Sequence, residues 1–143
     1  MTLSTKACKV KGEARQHDWM TRRKKLAREW DGLVLKYAPF SPSSSSIWKY
    51  SKHLSREHPD QGWKIHVSGT PLNASQMLRS ILPILTDGNI AFKVPHSLDE
   101  LMKINSGIFY GYSTIGKVVK VYPENENDFL TLVARLDQAT SIL

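Results

Sequence analysis

Three lysines and one histidine have the side chains and the sequence setting needed to bind an anion and give it a proton. Lys64 and His66 are two residues apart in the run Gly62–Thr70, in which apolar and polar side chains alternate. A period of two is typical of a strand with one buried face, so both side chains would lie on the open face. They are either ordinary solvated residues or a cation and a proton carrier that face one anionic ligand. The residues expected on the buried face are Trp63, Ile65 and Val67.

Two further runs predict strands that carry the other lysines. The run IAFKVP places Lys93 among apolar residues, and the run GKVVKVYP places Lys117 after a glycine. Both runs are rich in β-branched or aromatic residues and are bounded by glycine or proline. Lysines are common on open sheet faces, so simple solvation is an alternative for these two as well. The predicted strands are Trp63–Ser68, Ile90–Val94 and Lys117–Tyr122, with Ile65, Val67, Phe92 and Val94 buried.

Helical patterns separate the three strands and follow the last one. Apolar residues recur at helical spacing over 73–85 and 125–138, and Ser97 with Glu100 forms a capping box for a short helix between them. Pro83 should kink or shorten the first helix. The order β-α-β-α-β-α predicts an α+β domain with a mixed or antiparallel sheet and helices packed on one face. The residues predicted to be buried in the last helix are Phe129, Leu132, Val133 and Leu136.

The first 46 residues differ from the rest in charge and composition. Residues 1–36 carry ten Lys/Arg against four Asp/Glu, which is +6 of the total net charge of +7. We predict an amphipathic helix from Arg15 to about Tyr37, followed by a Ser-rich linker that ends at Ser46. The predicted organisation is therefore a basic arm over 1–46 and a domain over 47–143. The basic face is either solvated or a contact for an acidic peptide or nucleic acid.

Composition excludes several other classes. No apolar run approaches the ~18 residues that a membrane span needs, and the N-terminus has no apolar signal region, so we expect a cytoplasmic protein. Cys8 is the only cysteine, which excludes an internal disulfide and a cysteine-based zinc cluster. His53, His58 and His96 lack metal-ligand spacing, so we expect surface histidines, no metal and no cofactor. The distribution of basic and aromatic residues disfavours nucleic-acid binding, because aromatic residues do not alternate with the basic ones.

The run GYSTIGKV, Gly111 to Val118, nearly matches a phosphate loop. Val118 replaces the Ser/Thr that would bind magnesium, and the run leads into a strand instead of a helix. We therefore expect no nucleotide-hydrolase site, although the loop could still deliver Lys117 to a phosphate by another architecture.

Three sequence blocks, taken in order, resemble one known family. They are QGWKIHVSGTPLNASQML, then FKV followed by a Ser-Leu helix start, then GKVVKVYP after a glycine-containing loop. Together they resemble the N-terminal lyase domain of class III and class IV lanthipeptide synthetases, which is similar to the phosphothreonine lyase effectors of pathogenic bacteria. The resemblance covers about Ile47 to Leu143 and implies a partial phosphothreonine-lyase-like fold.

The resemblance implies a role for each of the four residues. His66 matches the general acid that protonates the leaving phosphate, and Lys93 matches the general base that removes the Cα proton of phosphoserine or phosphothreonine. Lys64 and Lys117 match phosphate-binding lysines. The resemblance further implies β-elimination to dehydroalanine or dehydrobutyrine without metal or cofactor. The implied partners are a phosphorylated precursor peptide and kinase or cyclase domains.

These residue types suit that chemistry. A Cα proton is a weak acid, so its base must be a neutral amine, and crowding Lys93 beside other lysines lowers its pKa. The phosphate dianion needs cations around it, and a protonated imidazole can supply the proton with which it leaves. We therefore expect Lys64, Lys93 and Lys117 to converge on His66. Regular alternation puts Lys117 and Tyr122 on opposite faces of the strand. We therefore expect Lys117 to sit at the loop edge instead of within the strand.

The chain also departs from the family's pattern. The family usually has an arginine shortly before its glycine-lysine block, whereas the loop SGIFYGYSTIGK that ends at Lys117 has none. Lys120 stands where the strand usually continues with threonine, and the chain ends before the segment that supplies further strands and a phosphate-binding arginine. Arginine orients a dianion by paired hydrogen bonds, which lysine does not form. The sequence leaves two functions open. One is a phosphoserine/phosphothreonine lyase, either as a fragment of a longer synthetase or as a short stand-alone relative, and the other is a non-catalytic peptide- or phosphopeptide-binding module. For these 143 residues alone we expect weak phosphopeptide binding and slow or no elimination.

Overall fold

The computed structural model describes residues 2–43, 46–51 and 62–141, with side chains from residue 18 onward. The helices of this part of the chain are α1 (Thr2–Tyr37), α2 (Ala74–Asp87), α3 (Leu98–Ser106), a 3₁₀ turn (Tyr112–Thr114) and α4 (Glu126–Thr140). Its strands are β1 (Trp48–Tyr50), β2 (Ile65–Ser68), β3 (Ala91–Pro95) and β4 (Lys117–Tyr122). The predicted α+β class is confirmed.

The four strands form one antiparallel sheet in the order β1-β3-β4-β2. Directly opposite residues on neighbouring strands point to the same face of a sheet, so the register defines two faces. Val121 of β4 lies opposite both Ile65 of β2 and Phe92 of β3, which places all three on the apolar face. The residues that alternate with them form a second, polar face.

The apolar face packs against all four helices in one core. Phe92 and Val94 are buried as predicted, whereas Ile65 and Val67 are only partly buried because β2 is an edge strand. The helical residues of this core are Trp30 and Val34 of α1, Leu78, Ile81, Leu82 and Leu85 of α2, Leu98 and Leu101 of α3, and Leu132 and Leu136 of α4.

The C-terminal half of α1 is anchored to the sheet and to α2. Trp30 is fully buried, and its indole N–H donates a hydrogen bond of 3.1 Å to the backbone oxygen of Pro95 in β3. The hydroxyl of Ser75 in α2 donates to the backbone oxygen of Leu26 at 3.2 Å. The charged residues of α1 are therefore presented by a helix whose apolar side belongs to the core.

Three elements differ from the sequence prediction. Helix α1 begins at Thr2 instead of Arg15, so it extends past the apolar spacing that predicts it. Helix α2 continues through Pro83 to Asp87. Strand β1, Trp48–Tyr50, is not predicted, because three residues are too few to show a period of two. Its pairing with β3 defines it as a strand.

Two side chains that were predicted to be buried are exposed. Trp63 is 51% exposed, because β2 begins only at Ile65 and the ring lies outside the sheet. It contacts Phe129 of α4 instead, with ring centroids 4.7 Å apart. Val133 of α4 is 39% exposed, because that helix buries only a narrow stripe against the core. Both predictions were wrong.

The start of β4 is tied to the end of β2 by one side chain. Asn105 of α3 accepts a hydrogen bond from the backbone N–H of Gly116 at 2.8 Å and donates one to the backbone oxygen of Gly69 at 3.4 Å. Lys117 follows directly and begins a strand, not a helix. The run before it therefore does not form a phosphate loop.

The Gly107→Ala variant is expected to destabilise the protein by roughly 1–3 kcal/mol. Gly107 ends α3 in the left-handed region with φ of +74°, and an added Cβ would meet Cδ1 of Ile115 at 2.8 Å and the ring of Tyr112 at 3.0 Å. Urea unfolding measures the change.

Gly32→Ala is the matched control for this test. Gly32 lies within α1, and nothing lies within 4 Å of a Cβ added there. Alanine is preferred to glycine inside a helix by about 0.5–1 kcal/mol, so this variant should be slightly more stable than the wild type. A Gly107→Ala variant that unfolds at the wild-type urea concentration would contradict the strain assigned to this turn.

Candidate functional site

A row of four side chains crosses the polar face of the sheet. Tyr50 of β1 lies opposite Lys93 of β3, Lys93 lies opposite Lys120 of β4, and Lys120 lies opposite His66 of β2. Directly opposite Cβ atoms in antiparallel strands are about 5 Å apart, so each side chain is within reach of the next. The row brings Lys93 and His66 onto one face with Lys120 between them.

Lys64 lies beside this row. It directly precedes β2 and is two residues from His66, so it projects from the same side of the strand. Its Nζ atom lies 6.0 Å from the centroid of the Tyr122 ring on β4. Lys64 therefore borders the row at its β2 end.

Lys117 reaches the same face through an irregularity in the strand pairing. Val67 pairs with Val119 but Ser68 pairs with Lys117, so Val118 is an extra residue on β4. Such a bulge reverses the side to which the following side chains point. Lys117 consequently shares a face with Ser68 and with the row, and it is the first residue of β4. Regular alternation assigned Lys117 to the face opposite Tyr122, and this bulge corrects that assignment.

The ring of Trp48 supports two of the lysines. The Nζ atoms of Lys93 and Lys120 each lie 4.7 Å from its centroid, and Nζ of Lys93 is also 5.7 Å from the centroid of the Tyr50 ring. A cation within about 6 Å of an aromatic face is attracted by the ring's quadrupole, by roughly 0.5–1 kcal/mol at exposed sites. The aromatic residues of β1 thus hold ammonium groups on the polar face.

The lysines of this face are not neutralised within the described chain. We call Lys64, His66, Lys93, Lys117 and Lys120 the cationic face. Among the residues that the structure describes, the ion pairs join other side chains, and no carboxylate lies within ion-pair distance of these four lysines. Like charges that are gathered without a counter-charge create a strong positive potential. The cationic face is therefore suited to bind an anion.

Burial and mutual repulsion lower the pKa values of the two central lysines. Burial, followed by the charges of Lys120 and Lys64, lowers the pKa of Lys93 from 10.5 to about 8. Burial, followed by the charges of Lys117 and Lys64, also lowers the pKa of Lys120. Lys93 therefore has a neutral fraction near neutral pH that an ordinary lysine lacks, and a neutral amine can accept a proton.

The pKa of His66 is lowered from 6.5 by the same causes. Burial comes first, followed in decreasing order by the charges of Lys117, Lys120, Lys64 and Lys93. The free protein therefore favours the neutral imidazole, whereas a general acid must carry a proton. A dianion bound among the lysines would offset their potential and raise the pKa of His66 again. Anion binding and protonation of His66 are thus coupled.

This coupling predicts the titration of His66. In the free protein its imidazole should titrate below pH 6.5, and saturating inorganic phosphate should raise that pKa, so binding near pH 6.5 takes up protons. NMR of the imidazole resonances measures both values. Lys117→Ala removes the largest electrostatic cause and should raise the pKa of free His66.

Lys49→Ala serves as the control for the titration. Lys49 belongs to the same sheet but lies opposite Val94, on the apolar side, and its loss should leave the titration unchanged. A free His66 that titrates at or above pH 6.5, or one that phosphate does not affect, would contradict the electrostatic account.

Sequence reasoning missed three residues of this site. Trp48 and Tyr50 belong to the unpredicted strand β1, and Lys120 was treated only as a departure from a family pattern. A signal for Lys120 was present, since it is two residues from Tyr122 and so shares its face by alternation. No local signal indicates that β1 lies beside β3, because that pairing joins distant parts of the chain.

His96 does not join the cationic face. His96 lies 3.7 Å from Glu100 as an i,i+4 pair near the surface, and His53 and His58 lie outside the described residues. Within the described ranges, no three His, Cys, Asp or Glu side chains group closely enough to hold a metal ion. No helix in that part of the chain combines the length and apolar character needed to cross a membrane.

Comparison with known proteins places the cationic face within a matched region. The model of the RamC N-terminal domain family matches residues 36–142, which contain all five residues of this face. The chain is 35% identical over 94 residues to the probable SapB synthase of Streptomyces coelicolor. That match covers 66% of this chain but 10% of the relative, so the chain spans about a tenth of the relative's length.

Proposed function

The chain belongs to the RamC N-terminal domain family, and from this premise we propose that it eliminates phosphate from phosphoserine or phosphothreonine in a precursor peptide. The reaction would be a step in lanthipeptide-type peptide maturation. One observation carries the proposal: Lys93 and His66 flank Lys120 in a row of lysines that has no carboxylate partner in the described chain. Elimination of phosphate needs a base and an acid on either side of such an anion site.

In the proposed reaction, the phosphate monoester binds between the ammonium groups of Lys64 and Lys117. The neutral amine of Lys93 removes the Cα proton, the electron pair of that bond forms the Cα=Cβ double bond, and the Cβ–O bond breaks. His66 gives its proton to the departing oxygen. The products are a dehydroalanine or dehydrobutyrine peptide and hydrogen phosphate. The positive potential of the cationic face stabilises the charge that develops on the leaving oxygen.

The proton states that this reaction needs are supported by the causes of the two pKa shifts. Bound phosphate offsets the lysine charges that lower the pKa of His66, so the acid is protonated when substrate is present. The bound dianion also raises the pKa of Lys93, but burial is the largest cause of that residue's lowered pKa and persists in the complex. Phosphate binding can therefore protonate His66 without fully protonating Lys93.

The alternative function is phosphopeptide binding without catalysis. It rests on the absence of an arginine from the loop SGIFYGYSTIGK that ends at Lys117, and without that arginine we expect slow or no elimination by these 143 residues. The position of Lys120 between Lys93 and His66 adds a cation where the sequence pattern counted none. We therefore favour the lyase for this chain, and the binding module becomes one outcome of its test.

The proposed reaction implies partners. A kinase must supply the phosphorylated peptide, and a cyclase would consume the electrophilic dehydro residue, so we propose that the chain acts with such domains or proteins. We further propose the cytoplasm as its location, because a single cysteine among 143 residues is typical of proteins from a reducing compartment.

Mass spectrometry of a phosphoserine peptide incubated with the protein tests this function. We expect loss of phosphoric acid, which leaves dehydroalanine, and no loss with the His66→Ala variant. Lys49→Ala should retain activity, because Lys49 lies on the opposite face of the same sheet. Loss of HPO₃ would show hydrolysis to serine, and an intact phosphopeptide that nevertheless binds would favour the non-catalytic module.

A further inference from the structure

We propose that Lys120 is a phosphate ligand of the cationic face, in addition to Lys64 and Lys117. The inference rests on the proposed phosphate chemistry of this face, but it concerns binding and can be tested whether or not elimination occurs. In the sequence, Lys120 is only a departure from the family's pattern.

The position of Lys120 in the sheet supports this role. It is the one residue of the row that lies directly opposite both Lys93 and His66. In the proposed reaction, the base acts on Cα and the acid acts on the phosphate ester oxygen. Lys120 lies between the base and the acid. It therefore lies beside the Cβ–O bond that breaks, and so beside the phosphate itself.

The contact of its ammonium group with the Trp48 ring also supports this role. The Nζ atoms of Lys120 and Lys93 contact the same Trp48 ring, each at 4.7 Å from the centroid, so they lie no further apart than twice that distance. An ammonium group has three N–H donors, and contact with an aromatic face does not use all of them. Two like charges beside one ring are stabilised by an anion that binds both.

The charge of Lys120 has no counter-charge in the described chain. Lys120 is half-buried, and none of the described carboxylates forms an ion pair with it. Burial and the neighbouring charges of Lys117 and Lys64 lower its pKa, which is the cost of holding a cation here without a partner. A half-buried cation without a partner is disfavoured by its own environment unless a ligand supplies the negative charge.

The test compares the affinities of a phosphoserine peptide and its unphosphorylated serine form, measured by calorimetry. Lys120→Met, which keeps the length and apolar stem of the side chain, should weaken binding of the phosphoserine peptide by about tenfold or more. It should not change the affinity for the serine peptide. Lys120→Arg should restore most of the phosphopeptide affinity, since it returns the charge. Lys49→Met is the control on the opposite face and should bind as the wild type does.

The outcomes separate this inference from the proposed function. Equal phosphopeptide affinity of Lys120→Met and wild type would overturn the role of Lys120 and leave the lyase proposal standing. Weaker binding by Lys120→Met together with absent elimination by the wild type would support Lys120 as a ligand and overturn the lyase. A wild type that does not prefer the phosphorylated peptide would overturn both. If the methionine variant does not fold, Lys120→Gln replaces it in the same comparison.

Discussion

Replacing Lys93 with alanine is expected to lower kcat for phosphate elimination by roughly 10²- to 10⁴-fold, with a much smaller change in KM. Lys93 is the one lysine of the cationic face whose pKa is lowered as far as about 8, and it lies on the same face as His66. Its proposed contribution is a neutral amine at the Cα proton, which acts in the transition state. Steady-state kinetics with a phosphoserine peptide measure both parameters.

Lys93→Arg isolates the role of the base from that of the charge. Arginine keeps a cation on the Trp48 ring but is not deprotonated in proteins, so it cannot accept the Cα proton. We expect this variant to bind phosphopeptide and to be as inactive as Lys93→Ala. Substantial activity of Lys93→Arg would mean that Lys93 serves only as a cation and that another group removes the proton.

Replacing Trp30 with alanine is expected to lower the free energy of unfolding by roughly 3–5 kcal/mol. Trp30 is fully buried in the core, and its removal leaves a cavity and also leaves the backbone oxygen of Pro95 without its indole donor. A small domain has only about 5–15 kcal/mol of total stability, so the loss is a large part of it. Urea unfolding monitored by far-UV circular dichroism measures the change.

Trp19→Ala is the matched control on the same helix. Trp19 is 42% exposed, so its removal should change stability by no more than about 0.5 kcal/mol. The comparison bears on the organisation of the chain, because α1 lies almost entirely before residue 36, where the family match begins. A Trp30→Ala variant as stable as the wild type would show that α1 is dispensable and that the domain begins after it.

The strands that could be predicted from the sequence are those with a local signal. Alternation located β2, and runs rich in β-branched or aromatic residues located β3 and β4, all to within two residues of their ends. The Ser97 capping box located the start of α3, where its hydroxyl accepts the N–H of Glu100 at 3.1 Å. These patterns depend on neighbours along the chain, which the sequence displays directly.

What could not be predicted depends on contacts between distant parts of the chain. Alternation alone assigns Lys117 to the wrong face, because the extra residue Val118 is defined only by the register between β2 and β4. Trp48 lies beside Lys93 only because β1 pairs with β3, and three residues carry no periodic signal. The sequence therefore identified chemically suitable lysines but not the strand order that places Lys120 between Lys93 and His66.

The pKa values of Lys93 and His66 also could not be predicted from the sequence. Crowding of lysines predicts a lowered pKa for Lys93, but the largest cause is its burial, which follows from packing. The lowered pKa of His66 was not expected at all, because the sequence suggested a charged imidazole. In the proposed reaction that shift would link protonation of His66 to phosphate binding, and it depends on the four lysines that share one face with the imidazole.

The fate of the Cα hydrogen tests the central claim most directly, because elimination removes it and hydrolysis does not. A phosphoserine peptide that carries deuterium at Cα is incubated with the protein in ordinary water, and the mass of the dephosphorylated product is measured by mass spectrometry. We predict a product that has lost both the phosphate and the deuterium, formed more slowly than from the unlabelled peptide if proton removal limits the rate. A dephosphorylated product that still carries the deuterium would contradict the assignment of Lys93 and His66 as base and acid of an elimination.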